Sequence, residues 1–337
     1  KHEKVLLDSF SHKSVYNALR SFAKEFYILK RDYDKDGFPE RIDINRLEQK
    51  LKETGATAFI ATSPDYFGKA SDIRAIKNAC IKHKAELFLD ASHGAHFSFH
   101  DSLPEPPAKY ADIAALSLHK TIPVYTGGAA LALSGSYSYE EAARARAYLA
   151  TTSPSYVTLC SMDYARALYD EKGRELLAAV KEQTQQVKQE GGVECFFNND
   201  DFTRLLYKGN LSPLEKEGIF CEMAEENFSL LLCSPYSDYK TLKKKLKSIP
   251  PYKGEKIFEY DRFDTPEKIV EVKGRGEFIE LEEAEGRALA DDIGAYPPGV
   301  PFFFRGERLD REKLDYLKRR KNALFNLVSG KICVIIE

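Results

Sequence analysis

Two polar residues at the ends of apolar runs carry the strongest chemical signal in this chain. Asp90 closes the run Leu87-Phe88-Leu89, and Lys120 follows the run Ile113 to Leu118 within Ser117-Leu118-His119-Lys120-Thr121. Taken singly, neither is diagnostic: an aspartate there serves equally well as a turn or helix cap, and a lysine as surface decoration. Together they mean more. If the two runs are adjacent parallel strands, one strand–helix–strand unit apart, they deliver a carboxylate and an amine to one crevice. Such an amine can form a Schiff base with a carbonyl cofactor. The carboxylate can keep a pyridine nitrogen protonated, so that the ring acts as an electron sink. A pyridoxal 5'-phosphate (PLP) site requires that pair. Period-two alternation sends Ser117 and His119 to one side of the strand and Leu118 to the other, with Lys120 at the strand's mouth.

A third element, Ser11-His12-Lys13-Ser14, opens a helix after the first apolar run. Backbone N–H groups and hydroxyls at a helix start suit an anion, and the His12 ring can stack on a flat ligand; an ordinary N-cap by Ser11 is the plainer alternative. Asp32, Asp34, Asp36 and Gly37 imitate the start of an EF-hand loop. Pro39 and Asp43 break that pattern, and a strand rather than a helix precedes it. His93, His96 and His100 with Asp90 have loose metal-ligand spacing, but no helix would place them on one face. No metal site is expected.

The elements that must position these residues alternate. Runs of β-formers recur at Val5-Leu7, Phe26-Leu29, Ala58-Ala61, Leu87-Leu89, Ile113-Leu118 and Ala129-Leu133, with amphipathic stretches at Ser14-Ala23, Asp43-Glu53 and Ser71-His83 between them. The alternation predicts an α/β fold with a doubly wound, mostly parallel sheet, whose ligands lie beyond the carboxyl ends of the strands. A long helix is expected from Tyr156 to Glu190. Strands are expected at Thr203-Tyr207, Phe228-Cys233 and Ile332-Ile336, a link around Ser248-Lys253, and a helix over Leu281-Asp291. This divides the chain into a large domain over 1–155 and a smaller α+β domain over 156–337 that includes the connecting helix.

The 337 residues carry 50 basic and 52 acidic side chains, a net charge of −2, so no general basic field exists to hold nucleic acid or anionic lipid. The runs Lys243-Lys245 and Arg319-Lys321 read as solvated helix faces. No apolar run approaches a membrane span. The six scattered cysteines contain no CxxC pair and read as reduced core residues of a cytoplasmic protein.

Five blocks together resemble the Orn/Lys/Arg decarboxylase family, PLP enzymes of fold type I, and are closest to its short bacterial members. They are Ser11 to Ser14, Asp90 to His96, Ser117 to Thr121 with Ala115 before it, Thr152-Ser153-Pro154-Ser155-Tyr156, and Tyr296-Pro297-Pro298-Gly299-Val300-Pro301, in the family's order. The resemblance implies that Lys120 carries the cofactor, Asp90 pairs with its ring nitrogen, His12 and Ser92 flank the ring, and Ser117 and His119 contact the phosphate. It implies decarboxylation of lysine, arginine or ornithine to the diamine or agmatine, in polyamine metabolism. It also implies a homodimer or higher homo-oligomer, in which Thr152 to Tyr156 approaches a neighbour's site.

The chain departs from the family pattern at Ala91, where an acidic residue is usual, and near Gly127-Gly128, where a glutamine is usual. The stretch Lys208 to Gly218 also looks shorter than the family's equivalent. Nothing matches the Gly/Ser/Thr turn that cradles the cofactor phosphate, and the strand-first start at Lys1 leads us to expect that turn in a preceding segment. Two rivals stay open on these residues. One is a different fold type I reaction, an aminotransferase or lyase; the other is a non-catalytic paralogue or partner subunit.

Overall fold

The computed structural model describes residues 2–336 except 24, 136, 253, 255–262, 264, 270–271 and 321–322. Five strands, β1 (Lys4–Asp8), β2 (Glu25–Leu29), β3 (Ala58–Thr62), β4 (Glu86–Asp90) and β5 (Ile113–Leu116), run parallel in the order β2-β1-β3-β4-β5. A sixth, β6 (Ala130–Leu133), pairs antiparallel with β5. Helices cover both faces. On one, Tyr16 and Leu19 of α1 (Lys13–Phe22) pack against Val5, Leu7, Phe26 and Ile28. On the other, Leu47 and Leu51 of α2 (Ile44–Thr54) and Ile73 and Ile76 of α3 (Ile73–Lys82) pack against Leu6, Phe59, Leu87 and Leu89. Burial on both faces explains the nearly unbroken apolar runs in these strands. Asp43 and Asp72 cap α2 and α3, their Oδ1 atoms accepting from the backbone N–H groups of Arg46 and Ala75 at 2.9 Å each.

The second half begins with α4 (Tyr139–Ala147), which carries a Ser138/Glu141 capping box, and the 36-residue α5 (Tyr156–Gly191). Val180 and Val187 of α5 and Leu242 and Leu246 of α6 (Tyr239–Leu246) share a core with a four-stranded antiparallel sheet. Its strands are β7 (Phe196–Phe197), β8 (Arg204–Tyr207), β9 (Met223–Ala224) and β10 (Ser229–Leu232), in the order β7-β8-β10-β9. Two lysines of α6 have local partners: Lys243 donates to Gln186 at 2.9 Å and Lys245 pairs with Glu217 at 2.5 Å.

The chain then returns to the large sheet, where β11 (Lys268–Ile269) adds an antiparallel edge beside β2. It continues through β12 (Gly276–Glu280), β13 (Ile293–Ala295), β14 (Val300–Phe303), α7 (Arg311–Arg320), β15 (Leu324–Phe325), β16 (Leu327–Val328) and β17 (Lys331–Ile335). These strands form two small sheets, β12-β17-β16 and β14-β13-β15. One core joins them to the first half, with Phe10, Tyr66 and Phe67 packed among Phe228, Phe302, Phe303 and Leu317. The link around Ser248 and the basic run of α7 each end on a residue, Lys253 and Lys321, outside the described residues.

Three expectations need correction. The strand before Lys120 stops at Leu116, and Leu118–Lys120 forms a 3₁₀ turn closed by Lys120 and Thr121 N–H donating to Ser117 and Leu118 C=O at 3.2 Å each. Period-two alternation therefore does not govern Ser117 and His119. The cap of α1 is His12, whose Nδ1 accepts from Ser14 N–H at 3.2 Å; Ser11 is buried, with its hydroxyl accepting from Thr62 at 3.3 Å. Leu281 to Asp291 is not a helix. After the single turn Leu281–Glu283 the chain passes Gly286 at φ +77° and extends, so that Leu289 bridges to Val334. The spacing of Leu281, Ala284 and Leu289 suits a helix, but backbone pairing with the C-terminal strand wins.

Candidate active site

The polar ends of the parallel strands converge. Asp90 ends β4 and is in register with Ala115 of β5, from which the chain turns directly into Lys120. A cavity of about 210 Å³ opens beyond these ends, lined by His12, Asp90, Ser92, Ser117 and Lys120. Five of the six residues singled out in the sequence are thus brought together. His119 is not: its Nδ1 lies 2.9 Å from the Gly128 carbonyl, and the residue lines an adjoining cavity of about 240 Å³ that Lys120 also borders.

Each group is held. Asp90 Oδ1 accepts from Ser92 N–H at 3.1 Å. His12 is pinned between its capping contact and Gly299, while Lys13 N–H donates to the Gly299 carbonyl at 2.7 Å. Pro298 and Val300, from the same Tyr296–Pro301 block, complete that wall. Lys120 keeps exposed surface at the cavity mouth, yet burial among its neighbours lowers its pKa; Arg204 adds to the effect, while Asp90 and Glu222 oppose it. Burial likewise lowers the pKa of His12, against the pull of Asp90 and with the push of Lys120 and Lys13.

Beneath the cavity lies a buried ion pair. Arg31 donates through Nε and Nη2 to the two carboxylate oxygens of Asp8, at 2.8 and 2.5 Å. Asp8 also accepts from Phe10 and Thr62 N–H at 3.1 Å each, and Arg31 Nη2 donates to the Thr62 carbonyl at 2.7 Å. Phe10 and Thr62 both line the cavity, so this pair fixes part of its floor.

The sequence did not single out Tyr66, Arg204 or Glu222. Tyr66 lines the cavity and donates its hydroxyl to Glu222 Oε1 at 3.0 Å. Arg204, fully buried, donates through Nε to Asp201 at 3.1 Å, through Nη1 to the Tyr66 carbonyl at 3.2 Å, and through Nη2 to His93 Nδ1 at 3.0 Å. Tyr66 was within reach of the strand-end rule, being four residues beyond β3. Arg204 and Glu222 come from the second sheet and carry no local signal.

The residues suggestive of metal have other partners. Asp32 pairs with Arg46, Asp34 Oδ1 accepts from Asp36 and Phe38 N–H, and His96 Nε2 lies 3.1 Å from Asp201 Oδ1. Among the described residues, no group of three or more His, Cys, Asp or Glu side chains converges on a metal position. No helix among them is long and apolar enough to cross a membrane.

Residues 1–205 match the family model for the Orn/Lys/Arg decarboxylase major domain, and residues 264–326 match that family's C-terminal domain. The chain is 27% identical over 351 residues to the uncharacterized protein YaaO of Bacillus subtilis, covering 94% of this chain and 73% of that protein. It is 26% identical over 360 residues to the arginine decarboxylase of Bacillus anthracis, with 95% and 73% covered. The constitutive lysine decarboxylase of E. coli superposes on 99% of this chain and 67% of its own at a TM-score of 0.75 and 17% identity. The fold, a mostly parallel central sheet flanked by helices, is similar to those of fold type I PLP enzymes.

Proposed function

The chain belongs to the Orn/Lys/Arg decarboxylase family, and from that premise we propose that it removes the α-carboxylate of lysine, arginine or ornithine using PLP. The observation that carries this reading is that Asp90, at the end of β4, and Lys120, in the turn that follows β5, line one cavity with His12 beside them. An amine, a carboxylate and a flat ring in that cavity form the donor set that a pyridine aldehyde requires. PLP, when bound, supplies a protonated ring that takes up the electron pair of the breaking bond between the α-carbon and the carboxylate.

The chain's residues do the rest. Lys120 Nζ would hold the cofactor's aldehyde carbon, and burial favours the neutral amine needed to form that bond. Asp90 keeps the proton on the ring nitrogen. His12 would lie against the ring, and Ser92 and Ser117 would offer hydroxyls to it and to its phosphate. Once the carboxylate has left as CO2 the α-carbon needs a proton, and Lys120 Nζ, having taken one from the substrate's α-ammonium, would be placed to deliver it there. Glu222, exposed but held by Tyr66 and close enough to act electrostatically on Lys120, receives the distal cation of the substrate. All three nitrogens of the buried Arg204 have partners, which argues against its serving as the α-carboxylate clamp of an aminotransferase.

Residues 1–155 act in this reading as the cofactor domain and 156–337 as the smaller domain. A homodimer is supported by the exposed segment Thr152–Tyr156 and its apolar surroundings, where Tyr148 is 89% and Tyr156 76% exposed. Incubation with PLP and each of the three amino acids, with amines identified by mass spectrometry, tests the reaction. Lys120→Ala should abolish both amine release and the cofactor's absorbance near the visible edge. Retention of both would overturn the proposal.

A further inference from the structure

We infer that Arg204 is a positioning residue that locks His93 as the neutral Nε2–H tautomer, so that His93 directs an N–H donor into the cofactor cavity. A guanidinium has five N–H donors and no acceptor. With Arg204 Nη2 3.0 Å from His93 Nδ1, the imidazole nitrogen must accept, and the ring proton must reside on Nε2. A proton on Nδ1 would set N–H against N–H inside a buried contact. Nε2 has no hydrogen-bond partner among the described residues, and His93 lines the cavity beside Lys120 and Asp90.

Arg204 is itself fixed. Asp201 accepts from its Nε and is held in turn by His96 and Thr203, and the Tyr66 carbonyl takes Nη1. Gly68, at φ +89°, leaves room for it: a Cβ there would lie 2.7 Å from Arg204 Cδ. Tyr66 packs edge-on against the His93 ring at 5.4 Å and Asp90 lines the same cavity, while burial and the charges of Arg204, Lys120, His12 and His96 favour the neutral ring. The second sheet thereby sets the hydrogen-bonding polarity of a residue in the first. The group it serves is a hydrogen-bond acceptor of whatever fills the cavity.

The cavity's assignment rests on the proposed function, but the tautomer does not, so it is read on cofactor-free protein. Ring nitrogens of 15N-histidine-labelled protein are observed by long-range 1H–15N NMR, with His93 assigned by the signals lost in His93→Gln. The expected wild-type pattern is an unprotonated Nδ1 and a protonated Nε2, constant over roughly pH 6 to 8. Arg204→Lys, which keeps a donor-only cation, should retain it. Arg204→Met should lose the tautomer bias and raise the His93 pKa above that of the wild type. An Nδ1–H ring or an imidazolium in the wild type overturns the inference, as does an unchanged ring in Arg204→Met. If Arg204→Met does not fold, the wild-type and Arg204→Lys spectra decide. A confirmed tautomer in a protein without decarboxylase activity would leave this inference standing and remove the proposed function.

Discussion

Gly299 and His12 are in contact so close that no side chain fits between them. A Cβ on Gly299 would stand 2.6 Å from His12 Cδ2 and 2.7 Å from Nε2, and Gly299 adopts φ +82°. The position therefore excludes alanine both by backbone conformation and by the ring it would strike. Gly299→Ala should cost about 1–3 kcal/mol of stability through the left-handed backbone alone. It should also weaken PLP binding by displacing His12. A spectrophotometric titration with PLP, paired with urea denaturation, separates the two effects.

The buried Asp8–Arg31 pair joins the ends of β1, β2 and β3 under the cavity. Asp8→Asn leaves the buried guanidinium with only Asp65, 3.9 Å from Nη1, as counter-charge, and should destabilise the protein by up to about 3–5 kcal/mol in chemical denaturation. Because Phe10 and Thr62 N–H both donate to Asp8, the same variant should lose cofactor affinity at temperatures where it remains folded.

Glu222→Gln tests the receiver of the distal cation. Loss of one hydrogen bond between charged groups, about 1.5–3 kcal/mol, should raise KM for the preferred amino acid by roughly ten- to a hundredfold. A contact made equally in the ground and transition states should leave kcat nearly unchanged. An unaltered KM with all three basic amino acids would remove Glu222 from the substrate site.

Asp201 supplies a pH signature. Burial alone would raise its pKa, but the charge and hydrogen bond of His96, the charge of Arg204 and the hydrogen bond of Thr203 outweigh it and hold the carboxyl well below its usual range. The unfolded chain then binds a proton that the folded one does not. This stabilisation is complete above the ordinary aspartate pKa and is lost as pH falls toward the native value. Asp201→Asn should flatten the acid limb of the stability–pH curve measured by urea unfolding.

Lys120 gives a kinetic signal. Its pKa is lowered, by burial first, so its neutral amine is populated at lower pH than in free lysine. The rate at which apoprotein takes up PLP should rise with pH through a midpoint below that of free lysine. Stopped-flow absorbance reads this directly.

Much of the scaffold was legible in the sequence. Apolar runs such as Val5-Leu7 and Leu87-Leu89, buried on both faces, leave the chain little choice but a parallel sheet between helices, and Asp43 and Asp72 mark helix starts by local hydrogen bonding. Asp90 and Lys120 were legible for the same reason, since strand ends in such a sheet meet on one side. Reading failed where local and tertiary preferences compete. Leu281–Asp291 has a helical apolar pattern yet pairs as extended chain with Val334, and the strand expected to run to Lys120 breaks at Leu116 into a tight turn.

The sequence by itself determined the α/β scaffold and the meeting of Asp90 with Lys120, because both follow from local periodicity and the one-sided geometry of parallel strand ends. Only the tertiary structure decided that Arg204 grips His93 across 111 residues, that Tyr66 holds Glu222, and that His119 turns away to Gly128. The first two depend on which side chains at or beside the second sheet are brought against the first, and the third on how the chain turns between β5 and β6. A buried donor must find whichever acceptor the packing leaves beside it, and no spacing along the chain encodes that choice.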